Sequence, residues 1–263
     1  MRPSLITHHS SLITVMLAII GGSGLTELAN LQVMRRKTVS TPYGKPSGPL
    51  IFGKMQGRAV VFLARHGAHH TIPPHAVNYR ANLWALHAQK VKDVVSVATV
   101  GGIRAGLAPG TLVVPDQIID YTHGRQSSYS GTRGRSMLHI DFTRPYCEAL
   151  RQQLLGSAAA AGEAAVAGGT YAATQGPRLE TAAEINRLER DGADIVGMTG
   201  MPEAALAREI GLCYAAIVVV VNHAAGRGAN TQGIQLKDAE AIAKRSMARV
   251  LKILDQLAVS DGG

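Results

Sequence analysis

The chain has 263 residues, of which 46% are hydrophobic and 17% charged, a composition typical of a globular domain rather than a disordered or fibrous chain. No apolar run reaches the roughly 18 residues of a membrane span. The net charge is +9, yet Lys and Arg are scattered and aromatic residues make up 4%, which favours a small anionic ligand over nucleic acid. The densest basic cluster, residues 123–136, is rich in Gly and Ser, so we expect a mobile loop there.

The chain contains two cysteines, Cys147 and Cys213, and they form no Cys-x-x-Cys pair. This spacing argues against a disulfide framework and a cysteine zinc site, and favours a reduced, cytoplasmic location. The histidines of "GAHHTIPPH" (67–75) have no carboxylate or cysteine at ligand spacing. We therefore expect no bound metal.

In chain order, residues 1–15 repeat "SLIT", and a strand-like segment follows from Met16. We interpret 1–15 as a non-core N-terminal extension and 16–263 as one domain. Continuous runs of Val, Ile and Leu predict strands buried on both faces at 17–22, 60–67, 94–102, 111–122, 194–199 and 213–222. Segments with helical periodicity alternate with them at 76–89, 144–162, 178–192, 201–211 and 237–258. The alternation predicts a single α/β domain whose central sheet is mixed, largely parallel and flanked by helices.

Polar residues stand at the predicted carboxyl ends of five strands, where ligands gather in α/β sheets. They are Gly22 and Ser23, Arg65 and His66, Ala98 and Thr99, Met198 and Thr199, and Asn222. Each has a plain structural alternative: Asn222 as a turn residue, Met198 as core filler, Arg65 as a solvated strand end. Together they predict an anion site that lacks an obvious nucleophile, which fits a reaction in which the anion itself attacks.

Several longer segments together resemble the methylthioadenosine and purine nucleoside phosphorylase family from about residue 17 to 225. They are "TPYGKPSGPLIFGK" (41–54), "LARHG" (63–67), "HTIPPHAVNYRANLWAL" (70–86), "QGPR" (175–178) and "MTGMPEAALARE" (198–209). The resemblance implies a pentosyltransferase that cleaves a purine nucleoside with inorganic phosphate as co-substrate, without metal or organic cofactor. It also implies a single α/β domain, usually assembled as a homotrimer.

The resemblance also assigns roles to the residues at the strand ends. The implied phosphate-binding set is Ser23, Arg65, His66, the Ala98 backbone, Thr99 and Thr199. Met198 matches the residue that lies against the ribose. His66, Thr199 and Asn222 are the expected catalytic residues.

Two positions bear on which purine is bound. Adenine-specific relatives carry Asp at Asn222 and a second Asp at Ala224, whereas an amide can donate to a 6-oxo group and accept from a protonated N7. Glu180 falls on the purine-binding Glu of 6-oxopurine phosphorylases and can accept from N1–H. Its alternative role is that of an acidic residue in the first turn of a helix. The resemblance therefore implies a 6-oxopurine base.

At the 5' end of the sugar, relatives that bind a hydroxyl place a His near the start of the last helix. This chain has Ile234, Leu236 and Ala239 there, which favours a methylthio group. His139 resembles a residue that the family lends to a neighbouring subunit.

The expected reaction is phosphorolysis of S-methyl-5'-thioinosine to hypoxanthine and 5-methylthioribose 1-phosphate, a step of purine salvage. The alternatives are a general inosine and guanosine phosphorylase, an adenine-directed enzyme, and a non-catalytic nucleotide or nucleic-acid binder.

Overall fold

The computed structural model describes residues 16–131, 134 and 136–260, and a large sheet organises this part of the chain. The proposed extension at residues 1–15 lies outside the described residues. The eleven strands of the described part are β1 (Met16–Gly21), β2 (Gln32–Lys37), β3 (Leu50–Met55), β4 (Arg58–Ala64), β5 (Val91–Gly102), β6 (Leu112–Val114), β7 (Gln117–Asp120), β8 (Ala165–Ala167), β9 (Thr170–Ala173), β10 (Ile195–Gly197) and β11 (Cys213–His223). The helices are α1 (Tyr79–His87), α2 (Glu148–Ala160), α3 (Ala182–Arg190), α4 (Gly200–Glu209) and α5 (Leu236–Ser260).

The centre of the sheet is parallel: β4, β1, β5 and β11 lie side by side in that order. Antiparallel pairs surround it, with β2 and β3 beyond β4, β6 against β11, and β10 against the end of β5. The predicted mixed, largely parallel sheet flanked by helices is confirmed.

Both faces of the central strands are buried. In β1, Ala18 and Ile20 belong to one apolar cluster, while Leu17 and Ile19 belong to the cluster on the opposite face. Helices α1 and α4 contribute to the first cluster, and α2 and α5 to the second. Because successive side chains of a strand point to opposite faces, two covered faces require the continuous apolar runs seen in the sequence.

The predicted strand 111–122 is two strands, β6 and β7. Pro115 separates them and has no backbone N–H for a sheet ladder. The helix predicted at 178–192 begins later, at Ala182, because Thr181 caps it in a reciprocal capping box with Glu184.

The expectation that the two cysteines form no disulfide was wrong. Cys147 and Cys213 form a disulfide with their Cα atoms 5.1 Å apart. The backbone N–H of Cys147, at the start of α2, donates to the carbonyl of Tyr214 in β11. Two cysteines that are far apart in sequence can pair here, because the fold brings the start of α2 next to the start of β11.

The predicted mobile loop is partly packed. Tyr129 is 1% exposed, and its hydroxyl donates to the carbonyl of Arg80. The Arg125 guanidinium donates to groups on several segments of the chain. In residues 16–131, 134 and 136–260, no helix is both long and apolar enough to cross a bilayer.

Candidate active site

An open cavity of about 570 Å³ lies beyond the carboxyl ends of β1, β4, β10 and β11 and along the last third of β5. Eleven of the twelve predicted site residues line it: Ser23, Arg65, His66, Ala98, Thr99, Glu180, Met198, Thr199, Asn222, Ala224 and Leu236. The twelfth, His139, is exposed and does not line it. Ala98 and Thr99 lie within β5 rather than at its end, since that strand continues to Gly102.

Gly22 allows the ends of β1 and β4 to lie close to β5. A Cβ atom at this position would lie 2.7 Å from both Nη1 of Arg65 and the carbonyl oxygen of Val97. Only a residue without a side chain fits between β1, β4 and β5 here.

Arg65 is fully buried and largely committed to the protein. Its Nε and Nη2 donate to the two carboxylate oxygens of Glu203 at 2.7 and 2.8 Å, and Nη2 also donates to Ser96. Burial opposes the charge on Arg65, but Glu203 outweighs this and raises the pKa of the guanidinium above its ordinary value. Nη1 donates to the carbonyl of Val97, and its second N–H has no acceptor among the described residues. A phosphate at this end of the cavity would therefore meet Nη1, not the whole fork.

His66 presents a hydrogen-bond acceptor rather than a donor to the cavity. Its Nδ1 lies 2.8 Å from the carbonyl oxygen of Ile72, which can only accept, so Nδ1 carries the proton. Burial, and next the charge of Arg65, lower the pKa of His66 to about 4. The ring is neutral at pH 7 and presents Nε2 as an acceptor, which suits the P–OH group of monohydrogen phosphate.

His70 also lines the cavity, although the sequence pattern raised only the question of metal binding at this histidine. Its Nε2 lies 2.9 Å from the Ser23 hydroxyl, and its ring packs near that of His66. The "HHT" sequence contains no signal for this contact, which depends on a turn with His70 at positive φ.

Thr199 precedes α4 and is 8% exposed. Its hydroxyl does not cap the helix, although Thr is a common capping residue. Its backbone N–H lies 3.3 Å from the hydroxyl of Tyr171. Thr199 lines the cavity next to Met198.

Asn222 reaches the cavity through an irregularity in β11. The β11–β5 register pairs Val220 with Val100 and Asn222 with Gly101, so Val221 is an extra residue. Such a bulge re-aims the side chains beside it. The Asn222 amide nitrogen donates to the carbonyl of His223 at 2.6 Å, which leaves its Oδ1 and one N–H for a ligand.

Glu180 is the one carboxylate among the residues that line the cavity. The Thr174 hydroxyl donates to its Oε1 at 2.6 Å, and no donor among the described residues reaches Oε2. Glu180 lies before the N-cap Thr181, and the acidic residue of the first turn of α3 is Glu184. The helix-dipole interpretation of Glu180 therefore does not hold.

An apolar part of the wall is formed by Ile234, which precedes α5, and by Leu236 and Ala239 at its start. Glu180 reaches the cavity from the loop between β9 and α3. Within the described parts of the chain, no group of three or more His, Cys, Asp or Glu is arranged to hold a metal ion.

Comparison with known proteins shows the family of the chain. The family model of the phosphorylase superfamily matches residues 16–258. A probable S-methyl-5'-thioinosine phosphorylase from Pseudomonas syringae pv. tomato is 51% identical over 89% of this chain and 94% of its own length. A probable 6-oxopurine nucleoside phosphorylase from Thermococcus kodakarensis is 46% identical over 81% of each chain.

Among solved structures, methylthioadenosine phosphorylase from Schistosoma mansoni in complex with adenine superposes with a TM-score of 0.88. It is 32% identical, and the match covers 93% of this chain and 91% of the other. The match of the family model to nearly the whole described chain, and identities near 50% over most of its length, establish the relationship. The chain belongs to the phosphorylase superfamily.

Proposed function

We propose that the protein cleaves S-methyl-5'-thioinosine with inorganic phosphate, giving hypoxanthine and 5-methylthioribose 1-phosphate. The observation that carries this proposal is the joint lining of one cavity by Arg65, Glu180 and Asn222, which are distant in sequence. Relatives named for this activity at about 50% identity support it.

Phosphate binding is assigned to the strand-end groups. Nη1 of Arg65, the hydroxyls of Ser23, Thr99 and Thr199 and the backbone at Ala98 would donate to the phosphate oxygens. The Nε2 atom of neutral His66 would accept a hydrogen bond from the single P–OH group of the dianion. This arrangement places negative charge beside the anomeric carbon, where positive charge develops as the glycosidic bond breaks. Holding the nucleophile there also supplies the proximity contribution.

The leaving group is assigned to Asn222 and Glu180. Monohydrogen phosphate loses its proton on becoming the sugar phosphate dianion, and this balances the proton that the purine gains at N7. The protonated N7 would donate to Oδ1 of Asn222, and the remaining amide N–H would donate to O6 of the purine. Oε2 of Glu180 would accept from N1–H, which hypoxanthine has and adenine lacks. Buried polar groups that lose their partners disfavour the wrong base by several kcal/mol, so both positions favour a 6-oxopurine.

We assign binding of the 5' end of the sugar to the apolar wall of the cavity. Leu236, Ile234 and Ala239 offer no donor to a 5'-hydroxyl and suit a methylthio group. The second candidate function is a general 6-oxopurine nucleoside phosphorylase acting on inosine or guanosine. Relatives named for that activity at 45–47% identity favour it.

We further propose a cytoplasmic homotrimer in which His139 serves a neighbouring 5' pocket. The exposure of His139 outside the cavity of its own chain supports this role. Exposed Met137 and Leu138 beside it, at 75% and 54% exposure, are suited to burial against another subunit.

The test is hypoxanthine release from S-methyl-5'-thioinosine with and without phosphate, followed by the same assay on inosine. We expect release that requires phosphate and yields a sugar 1-phosphate, with a higher kcat/KM for the methylthio nucleoside. Equal kcat/KM values would favour the general phosphorylase, and turnover without phosphate would contradict both. Binding that weakens steeply with salt, without any turnover, would favour the nucleic-acid binder.

A further inference from the structure

We infer that Arg125 is a positioning residue that ties together the base-side and ribose-side walls of the cavity. The inference rests on the proposed function, because it assigns the two walls from that reaction. Arg125 lies in the basic, Gly- and Ser-rich segment after β7, and no step of the mechanism above uses it.

The ribose-side wall is the segment from Met198 to Met201. Nη1 of Arg125 donates to the carbonyl oxygen of Met198 at 2.8 Å and to that of Met201 at 2.6 Å. Met201 has φ −118° and ψ 142°, so its carbonyl leaves the helical hydrogen-bond ladder of α4. The two bonded carbonyls bracket Thr199, and its neighbour Met198 lines the cavity.

The base-side wall is the segment from Thr174 to Glu180. Nη2 of Arg125 donates to the carbonyl oxygens of Thr174 and Gln175 at 3.2 and 2.8 Å. Its Nε donates to Oε1 of Gln175 at 3.1 Å. The same Thr174 holds Glu180 through its hydroxyl, so Arg125 is one residue removed from the carboxylate assigned to N1–H.

A third wall is reached through Tyr79. Nη1 of Arg125 lies 3.3 Å from the Tyr79 hydroxyl, which donates to the carbonyl of Pro74 at 2.9 Å. Burial raises the pKa of Tyr79 above its ordinary value, so the hydroxyl keeps its proton. Pro74 lines the cavity near the histidines.

Only arginine suits this position. All five N–H groups of the guanidinium are used, in one plane, by acceptors on three segments. Every acceptor is a carbonyl or hydroxyl oxygen, and no carboxylate of the described residues forms an ion pair with Arg125. A lysine has three N–H groups on one nitrogen and would leave carbonyls on at least one wall without a donor. The distance between Met198 and Glu180 would then no longer be fixed.

The test compares Arg125→Lys and Arg125→Ala with Arg151→Lys. Arg125 is half-buried, and Arg151 is buried. Arg151 likewise donates to backbone carbonyls, those of Pro115 and Val114, neither of which lines the cavity, and it also pairs with Glu148. The readouts are kcat/KM for S-methyl-5'-thioinosine, its ratio to kcat/KM for methylthioadenosine, and the thermal midpoint.

We expect Arg125→Lys to lower kcat/KM at least tenfold and the base ratio at least threefold, with a thermal midpoint close to that of Arg151→Lys. Arg125→Ala should lose more activity and recover part of it in millimolar guanidinium, but not in equal ammonium. The control should keep the parental base ratio. An active parent whose Arg125→Lys variant keeps kcat/KM and base ratio within twofold would overturn the inference. So would an equal loss in Arg151→Lys. A parent without phosphate-dependent turnover would instead refute the proposed function, and the inference with it.

Discussion

Replacing Glu203 by Gln tests how the charge of Arg65 is held beneath the proposed phosphate site. Both side chains have 0% exposure, and the carboxylate accepts from Arg65 twice and from the Tyr214 hydroxyl at 2.9 Å. A Gln can keep an acceptor toward Nη2 and Tyr214, but its amide N–H₂ would then face Nε–H of Arg65. One buried donor would lose its partner, and the guanidinium would lose its counter-charge.

Breaking a buried ion pair by removing one partner destabilises a protein by about 3–5 kcal/mol. For a chain of this length, each kcal/mol lowers the thermal midpoint by roughly 2–4 °C. We therefore expect Glu203→Gln to lower the midpoint by about 6–20 °C. We also expect KM for phosphate to rise at least about fivefold, because Nη1 of Arg65 loses its fixed direction.

The assay is urea and thermal unfolding at one fixed protein concentration, with phosphate KM measured well below the midpoint. Arg187→Gln is the matched control, since its pair with Asp191 is exposed and 3.7 Å long and should contribute under about 1 kcal/mol. If Glu203→Gln unfolds like the control and keeps the parental phosphate KM, the reasoning about Arg65 is refuted.

Three further changes test other parts of the account. Asn222→Asp removes the donor to O6, so kcat/KM for S-methyl-5'-thioinosine should fall roughly 10- to 100-fold, which corresponds to about 1.5–3 kcal/mol. An unchanged preference between purine bases would exclude Asn222 as the residue that selects the base. His66 has its pKa lowered to about 4 in the folded state, so the unfolded state binds more protons below pH 6.5 and stability falls as the pH drops. The parent should lose about 2 kcal/mol more than His66→Gln between pH 7 and 4.5, measured by urea unfolding, and equal losses would contradict the assignment. The disulfide links residues separated by 66 positions, so reduction should lower the unfolding free energy by about 2–4 kcal/mol in the parent. A double variant, Cys147→Ala with Cys213→Ala, should show no response to reductant.

The strands at the centre of the fold could be predicted because burial on both faces leaves a continuous apolar run, as in β1 and β11. β2 could not be predicted in this way, because all six of its residues are exposed and it is a strand only through pairing with β3. The observed start of a helix differs from the predicted one where a capping residue sets it, as Thr181 does for α3.

Part of the cavity lining could also be predicted, since strand ends of one α/β sheet converge, whereas Glu180, Ala224 and Leu236 followed from the family resemblance. What each group does there depended on tertiary partners. The Arg65 guanidinium donates to Glu203 in α4 and is therefore largely occupied. His66 is an acceptor because the carbonyl of Ile72 holds the proton on Nδ1. Pairing of Cys147 with Cys213 likewise reflects the contact between α2 and β11, which no local pattern records.

The most direct test of the central claim is the ratio of kcat/KM for S-methyl-5'-thioinosine to that for methylthioadenosine, measured with saturating phosphate. The two nucleosides share the sugar and differ at the purine groups assigned to Asn222 and Glu180. This assignment predicts a ratio of at least about 100 in favour of the 6-oxopurine, because adenine would leave the amide N–H of Asn222 and Oε2 of Glu180 without partners. A ratio near one, or one that favours methylthioadenosine, would contradict it.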